Sequence, residues 1–146
     1  APVSRAAVTT WLRYAWTSPN TLVGLVLAAT ACLDGELASV DGVVEAHGRT
    51  LRWMLRHLVP LPGGAAAITL GHVVLATDAR TLRHTRAHER IHVAQYERWG
   101  PLFLPAYAAA SLWALARGEH FYSGNRFERH ARSSQGEGGA EPPRSL

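Results

Sequence analysis

The feature that most constrains this chain is a run of five residues, His88-Glu89-Arg90-Ile91-His92, which forms an H-E-x-x-H pattern. Histidines at positions i and i+4 of a helix lie one turn apart on the same face, so both imidazoles can point at one ion. The intervening Glu89 is rotated off that axis and can reach a water bound to the ion. Zinc lowers the pKa of such a water to about 7, and a nearby carboxylate can then take its proton. The pattern therefore predicts a zinc site of the hydrolytic kind.

Helix signals surround the motif. Thr77-Asp78 is a pair of N-capping residue types, and Gly100-Pro101 is a stop signal about twenty residues later. Between them, apolar side chains recur at spacings of about three to five residues, whereas arginines supply a solvated face. The sequence therefore predicts one amphipathic helix over about 79–99. The alternative interpretation is that the two histidines are only a polar stripe on this helix.

The histidine pair needs a third ligand, because catalytic zinc is held by three protein groups. The metzincin pattern would require Gly and His at the positions of Gln95 and Arg98, which excludes that class. Glu128 is the predicted third ligand, since it begins a short helical segment that can fold back towards the motif. His120 and His130 are its alternatives.

Two further histidines, His84 and His72, are not predicted to be metal ligands. His84 continues the stripe one turn before His88, but three ligands along one straight helix span about 12 Å and cannot all contact one ion. We therefore expect His84 to lie beside the site or to be solvated. His72, in an extended segment, is expected to face solvent.

The motif, followed by Glu128 in the pattern N-x-x-E-x-x-A, resembles the gluzincin arrangement of zinc metallopeptidases over about residues 65–132. The chain length resembles that of their minimal, single-domain members. This resemblance implies an α+β fold: a small zincin-like domain in which a short β-hairpin or sheet packs on the active-site helix. An αα-hairpin and a short glutamate helix would follow.

The resemblance also implies roles for individual residues. Zn²⁺ would be held by His88, His92 and Glu128, and Glu89 would serve as the general base. Peptides or amides would be the substrates. Tyr122 and His120, with His84 near the site, are the candidates for stabilising the transition state or supporting the ligands.

Length and composition bound the remaining architecture. A chain of 146 residues with 47% hydrophobic content can bury one sizeable core. We expect one domain over 1–132 and a disordered tail over 133–146, where the composition turns to Gly, Ser, Pro and Glu. The single cysteine, Cys32, excludes an intrachain disulfide and is expected to be a small core residue.

The first half of the chain contains sequence signals for a helix and for a β-hairpin. Residues 1–10 are expected to fray, and Ser18-Pro19 reads as the start of a helix whose uncharged part, residues 21–33, is shorter than a membrane span. A buried core helix is the favoured interpretation, with lipid contact as its alternative. Asp41-Gly42 predicts a hairpin between strands over 36–40 and 43–47.

A helix over 49–58 and a Pro- and Gly-rich loop follow the hairpin. Residues 66–76 then read as one or two extended segments just before the motif helix. One of these strands can form the edge of the sheet. An exposed edge beside a metal site can bind an extended peptide through backbone hydrogen bonds.

The uncharged segment 99–116, about eighteen residues long, is long enough to rival a transmembrane helix. If it crossed a bilayer, His92 and Glu128 would be separated by about 30 Å and could not share an ion. The metal hypothesis therefore predicts that the segment turns back at Gly100-Pro101 and packs as a core helix. Contact of residues 21–33 and 99–116 with lipid stays open.

Three classes of function are compatible with these patterns. The first is a zinc-dependent metallohydrolase, most simply a peptidase or amide hydrolase. The second is a non-proteolytic metal-binding protein or small-molecule metalloenzyme of the same fold. The third is a membrane-associated helical protein without catalysis. A P-loop, a dinucleotide fingerprint and a G-x-S-x-G elbow are absent from the sequence, which excludes those enzyme classes.

Charge and targeting signals set the expected partners. The net charge is +4, but the arginines are dispersed and lack interleaved aromatic residues, so no nucleic-acid partner is expected. A basic leader with a cleavage site does not precede the first apolar run, and one cysteine permits a reducing compartment. A cytoplasmic protein with at most peripheral membrane association is expected.

Overall fold

The computed structural model describes residues 4–138 of the chain. The described part is of mixed α+β class, as predicted, with a small four-stranded sheet among helices. It forms two compact units, which divide after Phe103. The first unit holds the sheet and the motif helix, and the second is helical.

The elements of the first unit are, in chain order, α1 (Arg5–Ala28), α2 (Ala31–Asp34), β1 (Gly35–Val40), β2 (Val43–Gly48), α3 (Arg49–His57), β3 (Ala67–Leu70), β4 (Val73–Ala76) and α4 (Ala79–Trp99). A short 3₁₀ turn (Gly100–Leu102) follows α4. α5 (Phe103–Ala116) and α6 (Arg126–Gly138) complete the described chain.

Helix α1 begins earlier than predicted. The Ser4 side chain caps it by accepting a hydrogen bond from the Ala7 N–H at 3.1 Å. The expected fraying of residues 1–10 is therefore wrong for residues 4–10, while residues 1–3 lie outside the described residues. The expected start at Ser18-Pro19 is wrong as well. Pro19 lacks the N–H that would bind the Ala15 carbonyl, and the Ser18 hydroxyl donates to that carbonyl at 2.7 Å instead. The helix therefore continues through its proline.

The prediction of a buried core helix over 21–33 is also wrong for most of its side chains. The buried face of α1 is small or polar and consists of Thr17, Asn20, Gly24 and Ala28, whereas Leu22, Val23 and Val26 are exposed. Cys32 is exposed as well, contrary to its predicted core position. Arg5–Asp34 is long and apolar enough to cross a membrane by length and composition, and 22% of its most apolar window is buried.

The predicted hairpin is confirmed. β1 and β2 pair antiparallel from Gly35↔Gly48 to Val40↔Val43. Asp41 and Gly42 form the turn with φ angles of 50° and 77°, the left-handed conformation that a two-residue hairpin turn requires. The predicted extended region over 66–76 consists of two strands, β3 and β4.

The sheet has the order β1-β2-β4-β3, with β2 and β4 parallel and the other pairs antiparallel. Helix α3, predicted over 49–58, lies in the connection between β2 and β3. β1 and β3 are the two edge strands. Strand β3 is therefore paired on one side only within the described residues.

Alternation along β4 builds a core on each face of the sheet. Val73 and Leu75 pack with residues of α1, α2 and α3. Val74 and Ala76 point the other way and pack with Leu82 and Val93 of α4. The first unit therefore has three layers, with α4 alone against one face.

His72, in the turn between β3 and β4, is buried rather than solvent-facing, so that prediction is wrong. Its Nδ1 lies 2.8 Å from the Thr17 hydroxyl, and its Nε2 lies 2.9 Å from a carboxylate oxygen of Glu97. The Tyr14 ring stacks on the imidazole with centroids 4.2 Å apart. This residue therefore ties α1 to the C-terminal half of α4.

A buried carboxylate on β2 fixes α4 against the sheet. Glu45 accepts hydrogen bonds from the guanidinium groups of Arg86, at 2.9 and 2.7 Å, and of Arg90, at 2.9 Å. Burial raises the pKa of Glu45, but the hydrogen bonds and positive charges of the two arginines outweigh it and hold that pKa below its ordinary value.

In the second unit, Asn125 begins α6 by accepting a hydrogen bond from the Phe127 N–H at 2.9 Å. Phe127 and Ala131 of α6 are buried, whereas Leu112, Trp113 and Leu115 of α5 are more than half exposed. The expectation that 99–116 is a packed core helix is therefore wrong for these large side chains. Residues 133–138 of the predicted tail continue α6, and residues 139–146 lie outside the described residues.

We predict that Glu45→Gln lowers the free energy of unfolding by about 2–3 kcal/mol at neutral pH, because two arginines lose a buried anionic partner. Since the folded-state pKa of Glu45 lies below 4.5, its contribution is complete above that pH and is lost as the pH falls through the folded-state value. Urea unfolding at neutral and acidic pH measures both effects.

The matched control for this prediction is Glu36→Gln. The Glu36 side chain on the neighbouring strand is 83% exposed and lies 3.5 Å from His47, so the expected loss is under about 0.5 kcal/mol. Equal losses for the two variants would contradict the anchoring role of Glu45.

Candidate metal centre

The motif lies on α4, as predicted. Asp78 caps this helix by accepting a hydrogen bond from the Thr81 N–H at 2.8 Å, and the backbone N–H of Thr81 lowers the pKa of that carboxyl. Gly100 ends the helix at a φ of 55°, which favours glycine. The predicted bounds of about 79–99 and the predicted cap are confirmed.

The two histidines of the motif turn the same nitrogen towards each other. The Nε2 atoms of His88 and His92 are 3.2 Å apart, and the rings meet edge to face with centroids 4.8 Å apart. The Nδ1 of His92 lies 2.8 Å from the side-chain oxygen of Gln95. Because an amide oxygen only accepts, Nδ1 of His92 carries the proton, and its Nε2 offers a lone pair.

Glu89 is buried on the side of α4 that faces β3. Its Oε2 accepts a hydrogen bond of 2.6 Å from the hydroxyl of Thr69, a buried residue in the middle of the edge strand. Burial raises the pKa of Tyr96, which lies about two turns further along the same side of α4, and the negative charge of Glu89 raises it further. The motif carboxylate is therefore held in one orientation in a water-poor environment.

Glu128 lies in the first turn of α6 and is buried. One of its oxygens accepts a hydrogen bond of 2.7 Å from the Tyr107 hydroxyl of α5. Asn125 connects the same two helices, because its side-chain N–H₂ donates to the Tyr107 carbonyl at 3.0 Å and to the Ser111 hydroxyl at 2.8 Å. The carboxylate position within the second unit is thus fixed by hydrogen bonds to Tyr107 and by the cap of α6.

His88, His92 and Glu128 form a group that could hold a metal ion, with one ligand atom from each residue within 4.8 Å of the others. Two imidazole nitrogens and one carboxylate oxygen are a donor set that suits zinc, and three ligands leave a coordination position for water or substrate. The lone pair fixed on Nε2 of His92 agrees with this use.

The other predicted residues have different surroundings. His84 is exposed, which agrees with its predicted solvation. His120 is exposed, and its Nδ1 faces the backbone N–H groups of Tyr122 and Ser123 at 3.2 and 3.4 Å, so it supports a loop of the second unit. Tyr122 is half-buried and His130 is exposed. None of these four residues belongs to the metal-ligand group found among the described residues.

Three supporting residues were not predicted from the sequence: Thr69, Gln95 and Tyr107. Gln95 follows His92 by three residues on the same helical face, a spacing that indicates a hydrogen-bond partner for the imidazole. Thr69 and Tyr107 carry no such signal, because each contacts its carboxylate across a long sequence separation of the chain.

We predict that Gln95→Leu weakens Zn²⁺ binding by about 10–100-fold, because the His92 imidazole loses the acceptor that fixes its proton on Nδ1. Isothermal titration of the metal-free protein with Zn²⁺ measures the change. The control is Gln135→Leu, at an exposed position on α6. An unchanged affinity for Gln95→Leu would exclude the proposed orienting role.

Comparison of the chain with protein families, with curated proteins and with solved structures gives no match.

Proposed function

We propose that this protein is a zinc-dependent metallohydrolase that cleaves peptide or amide bonds within a zincin-like fold. The observation that carries the proposal is the group of His88, His92 and Glu128, with the buried Glu89 carboxylate between the two histidines in sequence. Metal-assisted hydrolysis requires the metal ligands and the general base to lie within a few ångströms of the reacting atoms.

In this proposal His88 and His92 supply Nε2 ligands from one face of α4, and Glu128 supplies a carboxylate oxygen. A zinc ion bound there would act as a Lewis acid towards the substrate carbonyl and would lower the pKa of its water. Tyr107 positions the Glu128 carboxylate by the hydrogen bond to its Oε1. Gln95 positions His92 in the same way.

Glu89 is the proposed general base and acid. The Thr69 hydroxyl occupies Oε2 of Glu89, so Oε1 is the oxygen that would take a proton from the attacking water. The same carboxyl would then pass that proton to the leaving amine, as a general acid. Burial of Glu89 strengthens its electrostatic interactions and excludes bulk water as a competing proton donor.

Strand β3 supports a peptide or other extended amide as the substrate. It is an edge strand, and its central residue Thr69 contacts Glu89 directly. An extended peptide added to the unpaired side of β3 would make backbone hydrogen bonds whatever its sequence, and its scissile bond would run close to Glu89. This arrangement favours peptides over small molecules that lack an extended backbone.

Metal binding is tested by titrating the full chain, freed of metal, with Zn²⁺. We expect one ion per chain and an affinity that falls more than about a hundredfold in His88→Ala and in Glu128→Gln, because each removes a ligand. His84→Ala, one turn before His88 on the same helix, is the matched control and should bind as the unaltered protein does. An unaltered protein that binds no zinc would refute the proposal.

Catalysis is tested with Glu89→Gln and a library of quenched-fluorescent peptides. The variant should keep its zinc affinity within a few fold but lose about 10²–10⁴-fold in kcat/KM, because general acid–base catalysis is removed. Far-UV circular dichroism confirms that the variant folds. A zinc-loaded unaltered protein that cleaves no peptide or simple amide would instead assign the ion to a non-hydrolytic role.

A further inference from the structure

In α1 the distribution of polar and apolar side chains is the reverse of that in a helix that packs on the core of a water-soluble protein. The side that packs on the protein carries small and polar residues, whereas the opposite side carries large apolar residues. Its most exposed members are Trp11, Leu12, Trp16, Leu22, Val23 and Val26, and we call these six residues the outer face of α1. Trp11 and Val26, near its two ends, are each 72% exposed.

The packed side of α1 is held at several points along its length. Thr17 hydrogen-bonds His72, and the Asn20 side chain donates to the Gly100 carbonyl at 3.2 Å. Gly24 approaches β4 so closely that an added Cβ would lie 2.7 Å from the Cβ of Val73. These contacts orient the helix, so the outer face cannot turn inwards without breaking a buried polar network.

The charge on α1 is of one sign. Arg5 and Arg13 are its only charged residues, and both lie towards its N-terminal end. Arg13 is on the packed side, where its guanidinium lies 3.6 Å from a carboxylate oxygen of Glu97, whereas Arg5 is exposed. The outer face itself carries no charge over a helix of about 36 Å. Tryptophan and arginine at one end of an apolar surface are the residue types that sit at the headgroup level of a lipid bilayer.

We propose that the outer face of α1 docks on a lipid bilayer that contains anionic lipids, with the helix lying along the surface. The six apolar side chains enter the boundary between headgroups and acyl chains, while Arg5 meets the negative headgroups. The helix lies along the membrane rather than through it, because its other side stays bonded to the sheet and to α4. The proposal is independent of metal binding and of hydrolysis.

A bilayer explains the outer face better than a protein partner does. Protein interfaces have a polar rim around an apolar centre, whereas this face is apolar from Trp11 to Val26. Helices that face lipid show the same distribution, with small and polar residues against the protein and large apolar residues on the outside. The net charge of +4 adds a general attraction to anionic membranes.

Vesicle flotation of the full chain tests the docking. We expect binding to phosphatidylcholine vesicles that contain phosphatidylglycerol, and binding on the order of tenfold weaker to phosphatidylcholine alone, because Arg5 and the net positive charge of the chain lose their anionic partners. Leu22→Asp/Val26→Asp should lower the partition coefficient by on the order of a hundredfold, since two apolar side chains no longer enter the lipid.

The matched control is Trp53→Asp/Leu58→Asp, which alters two apolar residues of α3 and its C-terminus that are 56% and 63% exposed. It should float as the unaltered protein does. Equal loss in both double variants, or no flotation of the unaltered protein with either vesicle, would overturn the proposal. So would α1-dependent self-association without lipid, because the outer face would then be an interface between copies of this chain.

Depth measurements distinguish a helix on the surface from one that spans the bilayer. Spin labels are placed at Leu12→Cys and, separately, at Val26→Cys in a Cys32→Ser background, which removes the single exposed thiol. The two positions are about 21 Å apart along the helix. We expect similar shallow depths for both labels. A label at position 26 near the bilayer centre with one at position 12 in the headgroups would overturn surface docking in favour of a span.

Discussion

The ion pair network between β2 and α4 determines how the rest of the site is presented. Arg86 and Arg90 lie one turn apart and both bind the buried Glu45. Successive residues of an α-helix are about 100° apart, so anchoring these two arginines to the sheet turns His88 and His92 to nearly the opposite side of α4. The motif histidines therefore face away from the sheet because two basic residues of the same helix face it.

This orientation places the residues of the motif on different sides of α4. Glu89 points towards β3, where Thr69 holds its carboxylate, whereas the histidines lie on another side of the helix. The same segment thus carries a structural face, the proposed base and two of the proposed metal ligands. The buried His72 adds a second polar anchor, because it joins Thr17 of α1 to Glu97 near the end of α4.

Most of the local structure could be predicted because its causes are local. The cap at Asp78, the Asp41-Gly42 turn and the apolar periodicity of α4 act within a few residues, and each predicted element lies where they place it. The start of α1 differs from the prediction for a local reason as well. Pro19 is typical of a first helical turn, but the Ser18 hydroxyl satisfies the carbonyl that the proline leaves without a partner.

The sequence by itself determined the motif helix, the hairpin and the choice of His88, His92 and Glu128 as candidate ligands, because residue type and spacing are enough for these. Only the tertiary structure decided which apolar segments are buried. Hydropathy is the same for a core helix and for one whose large side chains face outwards, so the exposure of α1 and the burial of His72 depend on partners distant in the chain. The roles of Thr69 and Tyr107 could not be predicted for the same reason. Each contacts its carboxylate across a long sequence separation, which local spacing does not indicate.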